Sequence, residues 1–548
     1  MSGANPVSPP EKAAGAGSAS SMVAAGILLS RVFGLVREAV FARYFGSTLY
    51  ADVFKAGLRM PNVLQNLLGE GTLSASFIPV YAELLEEGRE EEAGRVAGAI
   101  FAILLAVAGA LSLVGVLFAP ALVQILLPGF EGERRVLTIA AVRILFPMTG
   151  VLVLSAWSLG ILNSHRRFFI PYVAPVLWNG AIIGTLFLLG GRLDLPRLVI
   201  ALSWGALLGG VLQFAVQLPW VFRLERRLKI SWGTQLSGVR EAVRNAGPAV
   251  LGRGVVQLSG WIDMVLASLL AVGGVAFISY AQTIYVLPVS LFGMSVAAAE
   301  LPELARRRTG ALDVLRERAS AGLQRVAFYV VPTFVVFLVL GDIVVAFLFE
   351  RGEFNRQDTL IVYLTLLGYT TGLLASTATR LLSSTFFALR DTVTPARVAG
   401  LRVLVAALLG FGLMVQFEPV SLFGLQLGPG IFADRRIGGQ PLGPVGLAVG
   451  AGVAAWLEWY LLRRALRRRM GGVGAGAAPL ARMFGAAVAA AAAGWGVRLL
   501  LPPLNSILLG ILILGAFGVT YLAIAAALKL EETRTVLSRV DGLLRRNR

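Results

Sequence analysis

The sequence predicts an all-α integral membrane protein with about fourteen transmembrane helices. Three observations carry that prediction. Of the 548 residues, 57% are hydrophobic and 15% charged, with a mean hydropathy of +0.76, whereas a soluble domain carries roughly 25% charged residues. Apolar runs of about 18 to 25 residues recur along the whole chain, each long enough to cross a hydrocarbon core of roughly 30 Å. The basic residues fall unevenly between alternate loops, which is the signature of a defined topology.

In order, the expected spans are residues 19–43, 48–81, 94–119, 137–162, 172–190, 198–222, 240–271, 275–304, 326–349, 359–388, 397–416, 441–462, 479–501 and 506–528. Their even number puts both termini on one side. The loops FRLERRLKISW, ARRRTGALDVLRER and LRRALRRRM and the tail from residue 529 share that side and hold about thirty Lys and Arg, against about nine opposite. Both termini are therefore expected in the cytoplasm. Residues 1–18, rich in Pro, Ala, Gly and Ser, read as a disordered cytoplasmic tail without the h-region of a cleaved signal, and 529–548 as a basic cytoplasmic tail. The net charge of +18 is then a matter of orientation, with no nucleic acid implied. The chain has no cysteine and a single histidine, His165 beside two arginines in a loop. No thiol chemistry, metal site or cofactor is expected, and His165 reads as an interfacial residue.

Two spans break the apolar rule. A charge inside a span costs roughly 2.5 to 3.5 kcal/mol on insertion scales, so it faces a cavity or a partner. The first span carries Arg31, Arg37, Glu38 and Arg43, with Arg31 and Glu38 on one face. The second carries Asp52, Lys55, Arg59, Asn62, Asn66 and Glu70, which on a continuous helix form one stripe. Pro61 removes a backbone donor and is expected to bend that helix. Arg31, Arg37, Lys55 and Arg59 outnumber Glu38, Asp52 and Glu70, and an uncompensated positive site suits an anion. Arginine binds phosphate oxygens in bidentate fashion, so a phosphate or diphosphate headgroup is the natural cargo. The competing reading is purely structural: ion pairs such as Arg37 with Asp52 that lock the two spans together. Asp263, inside the seventh span, is a candidate ion or proton site or a packing partner. Glu458 reads as snorkelling from a helix end, and the many Gly and Ala as close-packing positions.

A faint echo links REAVFARYFG with IDMVLASLLA, each followed by a helix with a mid-span proline, Pro61 or Pro288. It suggests a parallel repeat of two six-helix lobes, 19–222 and 240–462, with two further helices at 479–528.

The strings SRVFGLVREAVFARYFG and ADVFKAGLRMPNVLQNLLGEGTLSASFIPVYAE, followed in order by GILNSHRRFFIPYVAPVLWN, FERGEFNRQDT and FALRDTVTPARV, resemble the lipid II flippase family (MurJ, also called MviN). The resemblance covers roughly residues 22 to 395. It implies the multidrug/oligosaccharidyl-lipid/polysaccharide exporter fold, with two lobes around a central cavity and a lipid-tail groove at the last two helices. It implies a bacterial cytoplasmic membrane protein that moves lipid II, an undecaprenyl-diphosphate-linked sugar-peptide, among membrane lipids and alongside cell-wall synthesis machinery. Arg31, Arg37, Asp52, Asn62 and Glu70 match family positions important for transport. Three departures stand out. Gln65 replaces a frequent arginine, Thr283 and Val286 replace an Arg and a Glu, and RVLVAALLGFGLMVQF offers no Asn or Asp to join Asp263 in a sodium site.

The expected mechanism is alternating access, with the headgroup in a cavity and the polyprenyl tail in lipid. The rivals are an exporter of another polyprenyl-linked glycan or a drug, a scaffold for cell-wall machinery without transport, and a membrane enzyme acting on lipid phosphates. One histidine and no cysteine disfavour the enzyme, and no GxxxxGK loop is present for direct nucleotide coupling.

Overall fold

A computed structural model describes residues 13–294, 312–422, 425–428, 430–502, 504–530 and 532–533. Most of the tail 1–18, the end of the span 275–304, part of the loop ARRRTGALDVLRER and most of the tail 529–548 lie outside these residues. The described residues of the chain divide into two compact units, Met1–Tyr44 with Val53–Trp261 and Phe45–Asp52 with Ile262–Arg548.

The first unit runs through α1 (Ala13–Phe45) up to Tyr44, α2 (Leu49–Arg59) from Val53 onward, α3 (Asn62–Leu68), α4 (Glu70–Glu86), α5 (Glu90–Leu117), α6 (Ala119–Leu126), α7 (Gly132–Ser164), α8 (Phe169–Leu189), α9 (Leu195–Ala215), α10 (Leu218–Leu224) and most of α11 (Ser237–Ser268). α1 reaches back into the stretch read as a tail, where alanine, the best helix former, makes up half of AAGAGSAS. Its core packs α4, α5 and α7: Phe77, Tyr81, Val96, Val153 and Ile161 are buried around Trp157, whose indole N–H donates to the Ala97 carbonyl at 3.1 Å.

The second unit continues with α12 (Gly274–Pro288), a π-helical turn (Val289–Met294), α13 (Leu312–Val339), α14 (Gly341–Phe349), α15 (Arg356–Thr370), α16 (Leu373–Ala388), α17 (Val393–Phe417), α18 (Gly443–Met470), α19 (Ala477–Leu500) and α20 (Ser506–Ala527). Between α17 and α18 stand two small antiparallel hairpins that hydropathy did not anticipate, β1 (Val420–Leu422) with β2 (Leu425–Leu427) and β3 (Arg436–Ile437) with β4 (Gln440–Pro441). Gly438 and Gly439, at φ 58° and 80°, form the two-residue turn of the second, a conformation that favours glycine.

Among the described residues, ten helices are long and apolar enough to cross a membrane, and α15 with α16, bent by 43°, makes an eleventh if counted as one span. The three other expected spans, 19–43, 48–81 and 240–271, coincide with α1, α2–α4 and α11, the charged ones.

The second span corrects the expectation of one bent helix. Pro61 has no N–H to donate, so α2 stops at Arg59. Gly69, in an extended conformation, then ends α3, and its N–H bonds back to the Gln65 carbonyl at 2.8 Å. A Cβ there would collide with the same carbonyl. The result is three short helices, and no single stripe survives two breaks.

Elsewhere glycine does what the composition suggested. α18 presses Gly450 on the Gly410 backbone of α17 and Gly452 on the turn between α15 and α16, where a Cβ at Gly372 would lie 2.6 Å from the Gly452 Cα. Gly450→Val should therefore cost about 1 to 3 kcal/mol by overpacking. Thermal unfolding of the purified protein checks this, with Gly109→Val, whose Cβ meets nothing within 4 Å, expected to melt like the native chain.

Candidate cationic site

The site grows from one carboxylate. Glu38 is buried on α1 at 7% exposure, and an isolated carboxylate there would be very costly. It is matched twice. The Arg37 guanidinium donates to Oε1 at 2.6 Å, and the Lys55 ammonium of α2 donates to Oε2. Each cation also lies over an aromatic face: Arg37 is 4.8 Å from the ring centre of Trp178 on α8, and Lys55 is 4.4 Å from that of Phe41. One negative charge shared by two positive ones leaves a net positive charge. The pair expected between Arg37 and Asp52 is replaced by this arrangement, since a neighbour on the same helix turn holds Arg37 first.

Asp52 has a different occupation. It is fully buried in the second unit, and its two oxygens accept the backbone N–H groups of Gly273 at 2.7 Å and Ala276 at 2.8 Å, at the first turn of α12. A carboxylate there satisfies orphan donors and faces the positive end of the helix. The same short segment is tied down by Tyr280, whose hydroxyl donates to the Gly46 carbonyl at 2.8 Å, and by Ser47, which donates to Asp358 at 2.5 Å.

The other expected residues follow the breaks. Arg31 is half-buried on α1, and Arg59 is half-buried at the end of α2 with an Nη atom 4.0 Å from the Cβ position of Gly260 on α11. Asn62 is half-buried at the start of α3, whereas Asn66 and Glu70 are exposed on either side of Gly69. A residue that hydropathy missed stands beside them. Arg253 of α11 is exposed, its Nη1 lies 3.5 Å from the Asn66 carbonyl, its guanidinium occupies the space over Gly71, and the Glu70 carboxylate is within its electrostatic reach. Of the candidate site residues and Arg253, those in this unit are the cations Arg31, Arg37, Lys55, Arg59 and Arg253 and the carboxylates Glu38 and Glu70. Asp263 is exposed on α11, and no group of three or more His, Cys, Asp or Glu able to hold a metal ion occurs among the described residues. Thr283 donates to the Ser279 carbonyl at 2.9 Å, and Val286 is exposed.

The remaining motif strings have local physical roles. In FERGEFNRQDT, Asn355 and Asp358 form a reciprocal capping box at the start of α15. In FALRDTVTPARV, Asp391 accepts from the Thr394 hydroxyl at 2.6 Å and the Thr394 N–H at 2.9 Å, which hold its carboxyl at about 2, and it pairs with Arg469 at 2.7 Å. In GILNSHRRFFIPYVAPVLWN, the loop holds His165 against Tyr81. The Tyr81 hydroxyl donates its one proton to buried Glu225 at 2.7 Å, so the 3.0 Å contact to His165 Nε2 has the imidazole donating. Glu458 is buried and pairs with Arg402 at 3.3 Å across α17 and α18 instead of snorkelling.

The lipid II flippase MurJ family model matches residues 41–517. A lipid II flippase MurJ of Burkholderia cenocepacia is 30% identical over 452 residues, covering 81% of this chain and 82% of its own. A probable lipid II flippase MurJ of Rhizobium tropici is 32% identical, covering 80% and 79%. Among solved structures, one described as lipid II flippase MurJ in an inward closed conformation aligns with a TM-score of 0.72 at 22% identity, over 93% of this chain and 98% of its own. An inward-facing multidrug resistance transporter of the MATE family, in the MOP superfamily, aligns with a TM-score of 0.62 at 19% identity over 82% of this chain.

Two predictions follow from this geometry. Asp52→Ala removes a buried acceptor of two N–H groups and should cost about 2 to 4 kcal/mol, read as a lowered melting temperature of the purified chain. Burial pushes the His165 imidazole below its ordinary value of 6.5, so the unfolded chain takes up a proton that the folded one does not. Stability should therefore fall as pH drops from about 7.5 to 5.5, and His165→Gln should flatten that part of a melting-temperature profile.

Proposed function

The chain belongs to the lipid II flippase family, and on that premise we propose that it carries lipid II across the bacterial cytoplasmic membrane as a transporter, with both termini cytoplasmic and without catalysing a reaction. The observation that carries the site assignment is the shared carboxylate. Glu38 neutralises one of the two cations that it holds, and Arg59 and Arg253 add two more beside Glu70. A diphosphate supplies the missing negative charge. Arg37 gives one of its five N–H donors to Glu38, which leaves others for phosphate oxygens. Arg31, Arg37, Lys55 and Arg59 hold the charge in this reading, and Asn62 and Asn66 offer amides to the sugar-peptide. Asp52 keeps the turn between α1 and α2 in place and acts on transport through that turn.

The tail needs an apolar path in lipid. A groove of about 370 Å³ between α13 and α20, lined by Phe328, Tyr329, Pro332, Phe517 and Tyr521, suits a polyprenyl chain. The site opens alternately to the two sides, which spares the headgroup a passage through hydrocarbon. An inside-negative potential helps, since each negative charge moved outward gains roughly 2.3 kcal/mol per 100 mV. Cell-wall synthesis enzymes that consume lipid II on the outer face are the partners this reading implies.

The test is exposure of lipid II on the outer leaflet of cells depleted of their own flippase. The native chain should restore it, and Arg37→Ala at equal expression should lower it by at least tenfold. Restoration by both proteins would remove the cationic site from the mechanism. Arg59→Gln should lower exposure severalfold, and full activity of that variant would exclude Arg59 as a stand-in for the arginine missing at Thr283 and Val286.

A further inference from the structure

We infer that Arg253 of α11 is a headgroup-contacting residue, a further cationic arm of the site on the helix that Arg59 also meets; this rests on the flippase reading above. Four observations converge on it. The side chain is exposed, although it lies mid-helix in one of the expected spans, where a charge without purpose is costly. No carboxylate lies within ion-pairing distance among the described residues. Its one hydrogen bond is a long one, 3.5 Å to the Asn66 carbonyl, so most of its five donors are uncommitted. The guanidinium lies over Gly71, in space that a side chain at position 71 would share.

The surroundings favour an anion. The guanidinium stands where α3 ends and α4 begins, and the first turn of α4 presents backbone N–H groups with a partial positive charge. Arg59 meets the same helix at Gly260, seven residues after Arg253 and therefore on the same face of α11. α11 also comes close to α3 at Gly254, whose Cβ position is 3.9 Å from Leu67. Two guanidinium groups, about two helical turns apart, thus line the contact between α11 and the broken second span. Glu70 is within the electrostatic reach of Arg253 without an ion pair between them. A ligand with two linked phosphates, or a phosphate and a carboxylate on its peptide, matches such a pair of arginines better than a single charge does.

The rival role is a staple, in which Arg253 merely ties α11 to the Asn66 carbonyl. Charge and hydrogen bonding then matter for stability and not for cargo. The experiment compares the full-length chain with Arg253→Gln, Arg253→Lys, and Arg253→Gln combined with Gln65→Arg, which returns a guanidinium one position before Asn66. Outer-leaflet lipid II exposure in flippase-depleted cells is read with the melting temperature of each purified protein and its binding to lipid II in detergent. Arg253→Gln should lower exposure and binding about tenfold with an unchanged melting temperature. Arg253→Lys should recover part of both, and Gln65→Arg should restore them in the Arg253→Gln background. Normal exposure in Arg253→Gln, or a loss matched by a fall in melting temperature that Gln65→Arg leaves uncorrected, would overturn the inference. If the native chain itself restores no exposure, the flippase reading fails and the inference falls with it. If it does restore exposure, the variants judge Arg253 alone.

Discussion

A carboxylate buried in an apolar bundle must be paid for by cations, and at Glu38 two of them arrive. Much of the first unit follows from that excess. Arg37 comes from the same helix and Lys55 from the next, so the shared carboxylate joins α1 to α2. The aromatic faces of Trp178 and Phe41 hold the two cations where water is scarce. Replacing such a cluster by apolar residues of similar volume is often neutral or stabilising. In the function proposed above, the unequal charge count serves an anionic cargo more than it serves stability.

The breaks at Pro61 and Gly69 shape the same region. A continuous helix through residues 48–81 would present its polar residues as one column. Three short helices instead distribute them, with Lys55 on Glu38, Arg59 toward α11, and Asn66 and Glu70 around the second break, where Arg253 meets them. Asp52 departs furthest from the column, because its carboxylate is committed to the first turn of α12 in the second unit. The irregular backbone that Pro and Gly impose is tolerated in a membrane protein where neighbouring groups or a cavity satisfy it.

The motif strings divide by physical role. The first two contain the cation cluster and the breaks, and supply the cargo site proposed above. The later ones contain a capping box at Asn355 and Asp358, a helix start at Asp391, and the Tyr81–His165–Glu225 contact. These are helix caps and a buried side-chain contact.

Hydropathy and charge placement were enough to establish the all-helical membrane class and the concentration of charge in the first two spans, because the bilayer imposes one simple rule on every residue that crosses it. The resemblance carried by SRVFGLVREAVFARYFG and its companions pointed to the family before any geometry was known. Partner choice was not legible in the same way. That Arg37 takes Glu38 and leaves Asp52 to α12, that Glu458 finds Arg402, and that Arg253 reaches Gly71 from a helix far along the chain are decisions of tertiary structure. A charge in a linear sequence announces that it needs a partner, but which group lies within hydrogen-bonding distance depends on how the helices end and pack.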